Sequence, residues 1–125
     1  MKTRVLIVDD HRVFRDGLKA VINHQADLEV VGEAEDGEKA IALTRELLPD
    51  IILMDVKMPV MDGAEATSRI LAEMPGMKIL ALSIYDDEGF MAGMMSAGAL
   101  GYILKGCDSA ELSGAIRKVA GSRIT

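Results

Sequence analysis

Short apolar runs alternate along the chain with segments whose apolar residues recur every three or four positions. Arg4–Asp9, Leu28–Ala34, Ile51–Asp55, Lys78–Ser83 and Gly101–Leu104 are brief, rich in Val, Ile or Leu, and apolar at consecutive positions. That pattern predicts strands covered on both faces. Between them Phe14, Leu18, Val21 and Ile22 fall on one helical face, as do Ala40, Ile41, Thr44, Leu47 and Leu48. Ala66, Thr67, Ile70, Leu71 and Met74 mark a third helix, Phe90 and Met94 a fourth, and Leu112, Ala115, Ile116 and Val119 a fifth. Pro49 and Pro75 predict the ends of helices two and three, and Gly98 the left-handed residue that closes helix four. Asp108, three residues before Glu111, predicts a capping pair at the start of helix five.

Five βα units in alternation predict an α/β fold with a doubly wound, five-stranded parallel sheet and helices on both faces. Right-handed crossovers leave few arrangements, and the common five-stranded order is 2-1-3-4-5. No repeat, low-complexity tract or flexible linker divides residues 1–125, so one domain is expected. In that strand order the winding reverses between strands one and three, and ligands bind at the carboxyl ends of the strands there.

Composition narrows the functional classes. Fourteen basic and twenty acidic side chains leave a net charge of −6, with only two Tyr, two Phe and no Trp. Such a chain is a poor partner for a phosphate backbone or for stacked bases, so it does not bind nucleic acid by itself. The run Val5-Leu6-Ile7-Val8 is too short for a signal-peptide core. A single cysteine, Cys107, excludes an internal disulfide and suits a reducing compartment, so a soluble cytoplasmic domain is expected. His11 and His24 have no Cys or His partner at metal-ligand spacing, which argues against a transition-metal site.

The chemistry gathers at the strand ends. Strand one ends in Asp9-Asp10, strand three in Asp55 and strand four in Ser83, and Lys105 follows strand five. The strand order sets the three carboxylates side by side. Two unit charges ~4 Å apart repel by about 4 kcal/mol at an effective dielectric near 20. A hard divalent cation with oxygen ligands relieves that repulsion, and Mg²⁺ suits a site with few carboxylates. Carboxylate, Mg²⁺, ammonium and hydroxyl together match the needs of a transferring phosphoryl group, with a side-chain carboxylate as the attacking oxygen.

Four segments carry a resemblance. They are Val5-Leu6-Ile7-Val8-Asp9-Asp10-His11, the run from Ile52 through Asp55-Val56-Lys57-Met58-Pro59 to Asp62-Gly63, Ala81-Leu82-Ser83, and Gly98 through Tyr102 to Lys105. Together they resemble the receiver domain of two-component response regulators, over essentially the whole chain. Asp9-Asp10-His11 with Phe14-Arg15-Asp16-Gly17-Leu18 looks most like the NarL/FixJ subfamily of transcription regulators.

The resemblance implies a role for each matching position. Asp55 would accept the phosphoryl group from a sensor histidine kinase. Asp10 and Asp55 would ligate Mg²⁺, with Asp9 assisting and the backbone carbonyl of Lys57 completing the protein's share. Lys105 and Ser83 would contact phosphoryl oxygens, and Ser83 with Tyr102 would carry the switch toward a binding face. The chain would then be a regulatory phosphoacceptor rather than an enzyme. Members of the subfamily continue into a helix-turn-helix domain, so an excised receiver is expected, with DNA binding in the parent protein and homodimerisation on phosphorylation. A stand-alone docking module is the alternative.

Other classes fit less well. An aspartyl-phosphate hydrolase resembling haloacid dehalogenases would carry an acid two positions after the nucleophile, where this chain has Lys57. A nucleotide or flavin carrier would want a phosphate-cradling loop after strand one, where this chain has carboxylates. Two further expectations concern the surroundings. Met91, Met94 and Met95 are either core filling or an adaptable partner face. Ile84, beside Ser83, is expected to hinder water and slow loss of the phosphoryl group.

Overall fold

In the computed structural model, which describes residues 2–84 and 88–122, every predicted strand forms within a residue or so of its expected bounds. The strands are β1 (Thr3–Val8), β2 (Leu28–Ala34), β3 (Ile51–Asp55), β4 (Ile79–Ser83) and β5 (Gly101–Leu104). The helices between and after them are α1 (Arg12–His24), α2 (Gly37–Leu47), α3 (Gly63–Glu73), α4 (Glu88–Ala97) and α5 (Ser109–Ala120). All neighbouring strands pair in parallel, in the order β2-β1-β3-β4-β5. Three corrections are local: β1 starts at Thr3 rather than Arg4 and stops at Val8, leaving Asp9 just beyond it, and β4 starts at Ile79 rather than Lys78.

Two apolar layers hold the sheet. On one side Val5, Ile7, Leu53 and Leu82 pack with Leu18 and Ile22 of α1 and Leu112, Ile116 and Val119 of α5. On the other, Leu6, Val8, Met54 and Ala81 meet Ala40 and Ile41 of α2, Ala66 and Ile70 of α3, and Met94 of α4. Strands β3 and β4 are buried throughout, as their unbroken apolar runs require. The ladder between β1 and β2 has one irregularity: Val5 pairs with Val30 but Leu6 with Gly32, so Val31 is an extra residue on the edge strand.

Helix ends follow local chemistry. Asp36, Asp62 and Asp108 each accept a hydrogen bond from the backbone N–H three residues on, at 2.8–2.9 Å. A cap of this kind contributes about 1 kcal/mol. Gly98, with φ 116°, closes α4 as expected. Leu48 departs from expectation: it lies past the end of α2 at φ 48° and is 60% exposed, because the chain must leave the helix to enter Pro49. The methionines of α4 also divide, Met94 being fully buried whereas Met91 and Met95 are exposed.

Candidate functional site

Three loops meet at the carboxyl ends of β1, β3 and β5. Asp9 follows β1, Asp55 closes β3, and Lys105 follows β5. Asp9, Asp10, His11 and Asp55 each place one ligand atom within 4.8 Å of the others. The Lys105 ammonium lies 2.6 Å from Asp9 Oδ2 and 3.3 Å from Asp55 Oδ2, and its side chain is only 8% exposed. It also stands 4.6 Å from the centroid of the Phe14 ring. A cation over an aromatic face is attracted by the ring's quadrupole, so three neighbours fix this ammonium.

Two of the three carboxylates are anchored by backbone N–H groups close by in the chain. Asp55 Oδ1 accepts from the Val56 N–H at 2.9 Å, and Asp9 Oδ1 from the His11 N–H at 2.8 Å. Burial, and next the charge of Asp9, push the Asp55 carboxyl up to about 6, with Lys105 pulling the other way. A carboxyl near 6 is still mostly ionised at neutral pH.

The donor set suits a hard divalent cation. Asp9 Oδ2 and Asp10 Oδ1 are buried oxygens without a hydrogen-bond partner, although Lys105 neutralises the first and the His11 imidazole lies 3.3 Å from the second. Buried acceptors left unsatisfied are costly, and carboxylate oxygens are the ligands Mg²⁺ prefers. Asp9, Asp10 and Asp55 therefore fit the ion expected of them.

The remaining sequence candidates stand around this cluster. Ser83 ends β4, fully buried, and its carbonyl accepts from the Lys105 N–H at 2.8 Å, tying the ends of β4 and β5 together. Tyr102 lies on edge strand β5 opposite Ala81, partly buried against the layer of α4, and so outside the carboxylate cluster. Lys57 is exposed, with its ammonium 5.7 Å from the Phe90 ring centroid. Ile84 is 68% exposed. The loop after β3 is shaped by Gly63, where a Cβ would fall 2.0 Å from the Asp55 carbonyl oxygen. It also holds Val60 at φ 71°, with Met61 N–H bonded to Pro59 O at 2.7 Å, a γ-turn of the strained hand.

Three members of the site escaped sequence reasoning. His11 joins the carboxylates, Phe14 faces Lys105, and Arg15 donates to the Asp9 carbonyl at 2.6 Å. A signal existed for the last. Arg15 shares the inward face of α1 with Leu18 and Ile22, and a charge at such a position implies a partner.

Comparison with known proteins agrees with this geometry. Residues 5–117 match the model of the response regulator receiver domain. The transcriptional regulatory protein LiaR of Bacillus subtilis is 46% identical over 114 residues, covering 91% of this chain and 54% of LiaR. The transcriptional regulatory protein DegU of Brevibacillus brevis is 42% identical over 119 residues, covering 95% and 50%. The chain thus spans about half the length of these relatives. Among solved structures, a LuxR-family two-component response regulator from Aurantimonas superposes with TM-score 0.94 at 36% identity, covering 98% of this chain and 88% of that one. The signal receiver domain of a NarL response regulator from Mycobacterium tuberculosis gives 0.93 at 34% identity, covering 98% of both chains. With a family match across nearly its whole length and relatives of this type, the chain belongs to the response regulator receiver domains, in their NarL/FixJ subfamily.

Proposed function

We propose that this domain takes a phosphoryl group onto Asp55 from the phosphohistidine of a sensor kinase. The observation that carries the reading is the convergence of Asp9, Asp10 and Asp55 on one crevice, with Lys105 between two of them. A carboxylate oxygen of Asp55 attacks phosphorus, a new O–P bond forms, and the P–N bond to the donor imidazole breaks. Asp9, Asp10, Asp55 and the Lys57 carbonyl would hold Mg²⁺, which supplies positive charge beside the phosphoryl oxygens. Lys105 neutralises an oxygen from the opposite side, and Ser83 donates its hydroxyl to another.

Phosphorylation adds about −1.5 to −2 charges and new acceptor oxygens. Movement of Ser83 toward them would open space for Tyr102 and alter the surface near α4. Inverting a 1:99 population needs about 5.5 kcal/mol of preference for the active state, which charge-assisted hydrogen bonds and repacking together can supply.

In this reading the domain is a regulatory phosphoacceptor of the cytoplasm rather than an enzyme. Among the described residues no helix is long and apolar enough to cross a membrane. It would control transcription through a DNA-binding domain of its parent protein, with homodimerisation on phosphorylation. Incubation with a small phosphodonor, with and without Mg²⁺, followed by intact mass measurement, tests the core of the proposal. A Mg²⁺-dependent adduct lost in Asp55→Asn supports it, and an adduct retained in that variant refutes it.

A further inference from the structure

Arg15 lies on the sheet-facing side of α1 and is only 8% exposed. A guanidinium stays charged at any accessible pH, so burying one is costly without charged or polar partners. Here Nη1 donates to the carbonyl of Asp9 at 2.6 Å, and Nε donates to Glu33 Oε1 at 2.9 Å. Glu33, on β2, is braced in turn by Lys19, whose ammonium lies 2.6 Å from its other oxygen. Hydrogen bonds from Lys19 and then Arg15 hold the Glu33 carboxyl below its ordinary range.

The atom that Arg15 grips belongs to the peptide linking Asp9 to Asp10. The same stretch is tied by the Asp9 N–H to the Ala34 carbonyl at 3.0 Å and by the His11 N–H to Asp9 Oδ1 at 2.8 Å. The orientation of that peptide plane sets the directions in which both carboxylates leave the backbone. We propose that Arg15, braced by Glu33, is a positioning residue for the cation site, fixing the Asp9–Asp10 peptide so that both carboxylates and Asp55 reach one divalent ion. This rests on the reading of Asp9, Asp10 and Asp55 as the Mg²⁺ ligands. Groups that orient ligands rather than touch the metal commonly set its affinity by factors of about 10 to 100.

The test is calorimetric titration of Mg²⁺ into the wild-type chain and into Arg15→Met, Arg15→Lys and Glu33→Gln. Each is confirmed folded by circular dichroism, and its metal-free urea midpoint is measured alongside. Arg15→Met is expected to weaken Mg²⁺ binding about tenfold or more. Arg15→Lys keeps the charge but cannot span both partners, so its affinity falls between. Glu33→Gln keeps an acceptor without the charge and weakens binding by a smaller factor. A merely structural Arg15 would lower the urea midpoints and leave every Mg²⁺ Kd at the wild-type value, and that result overturns the inference. If Arg15→Met fails to fold, the other two variants decide by the same criterion. A wild-type chain that binds no Mg²⁺ would refute the proposed ligand set itself and the inference with it, a result distinct from unchanged variant affinities.

Discussion

Replacing Asp55 by Asn should make the metal-free domain more stable at neutral pH. The folded protein raises this carboxyl from its ordinary 3.8 to about 6, chiefly by burial and then by the charge of Asp9. A carboxyl whose pKa is higher folded than unfolded binds its proton more tightly in the native state. Its ionisation therefore opposes folding: the penalty is absent below about pH 4, grows between the two values, and is complete above 6. A rise of slightly more than two pH units, at 1.36 kcal/mol each, gives a penalty of about 3 kcal/mol at pH 7.5. Asn removes the charge and retains an oxygen able to accept the Val56 N–H. With a urea slope of about 2 kcal/mol per molar, the midpoint of Asp55→Asn should exceed the wild type by roughly 1.5 M. The assay is urea denaturation with a chelator present, at half-unit intervals from pH 7.5 down to 4.5. The advantage should shrink steadily as pH falls through 6. An Asp55→Asn domain no more stable than the wild type at pH 7.5, or an advantage independent of pH, would refute the reasoning.

Four other outcomes follow from the same structure. Lys105→Met removes the cation that partly offsets burial at Asp55, so the Asp55 carboxyl should titrate above 6, a change that carbon-detected NMR of the side chain reports directly. Gly63→Ala would drive a methyl group to within 2.0 Å of the Asp55 carbonyl oxygen, so it should cost about 1–3 kcal/mol in denaturant titrations and slow phosphodonor labelling. Val60→Asn should add about 1 kcal/mol, since a β-branched residue at φ 71° is strained and this one is 77% exposed; an unchanged melting midpoint would count against strain there. Ile84→Ala should shorten the phosphorylated lifetime, measured by loss of the mass adduct, if the exposed Ile84 side chain screens Asp55 from water.

What the sequence disclosed and what it withheld have physical causes. Asp9, Asp10 and Asp55 could be placed because the strand order makes β1 and β3 neighbours, and Lys105 because its long side chain leaves the same end of the sheet two strands from β3. Apolar runs are dense enough in β3 and β4 that no other strand assignment competes. The side chains that serve the site from α1 were harder. Phe14 sits on an ordinary apolar stripe, and only the third dimension reveals a lysine over its ring. His11 lacks the Cys or His partners that flag a metal site, yet it contacts the carboxylates immediately before it in the chain. Leu48 satisfies the helical period of α2 but not its geometry, because the chain turns into Pro49.

The additional residue in β2 has a consequence for where charge can go. Neighbouring residues across a parallel ladder share a face, and a slip of one position exchanges the faces. With Val31 inserted, Glu33 pairs with Ile7 and so projects beneath α1, toward Arg15. Were Val31 to pair with Leu6 in a regular ladder instead of being skipped, Val8 would match Glu33 and steer a carboxylate into the opposite apolar layer, among Val8 and Met54. A single-residue offset on an outer strand thus aims an acid at the helix that carries its basic partner, a strand's width away from the carboxylate cluster.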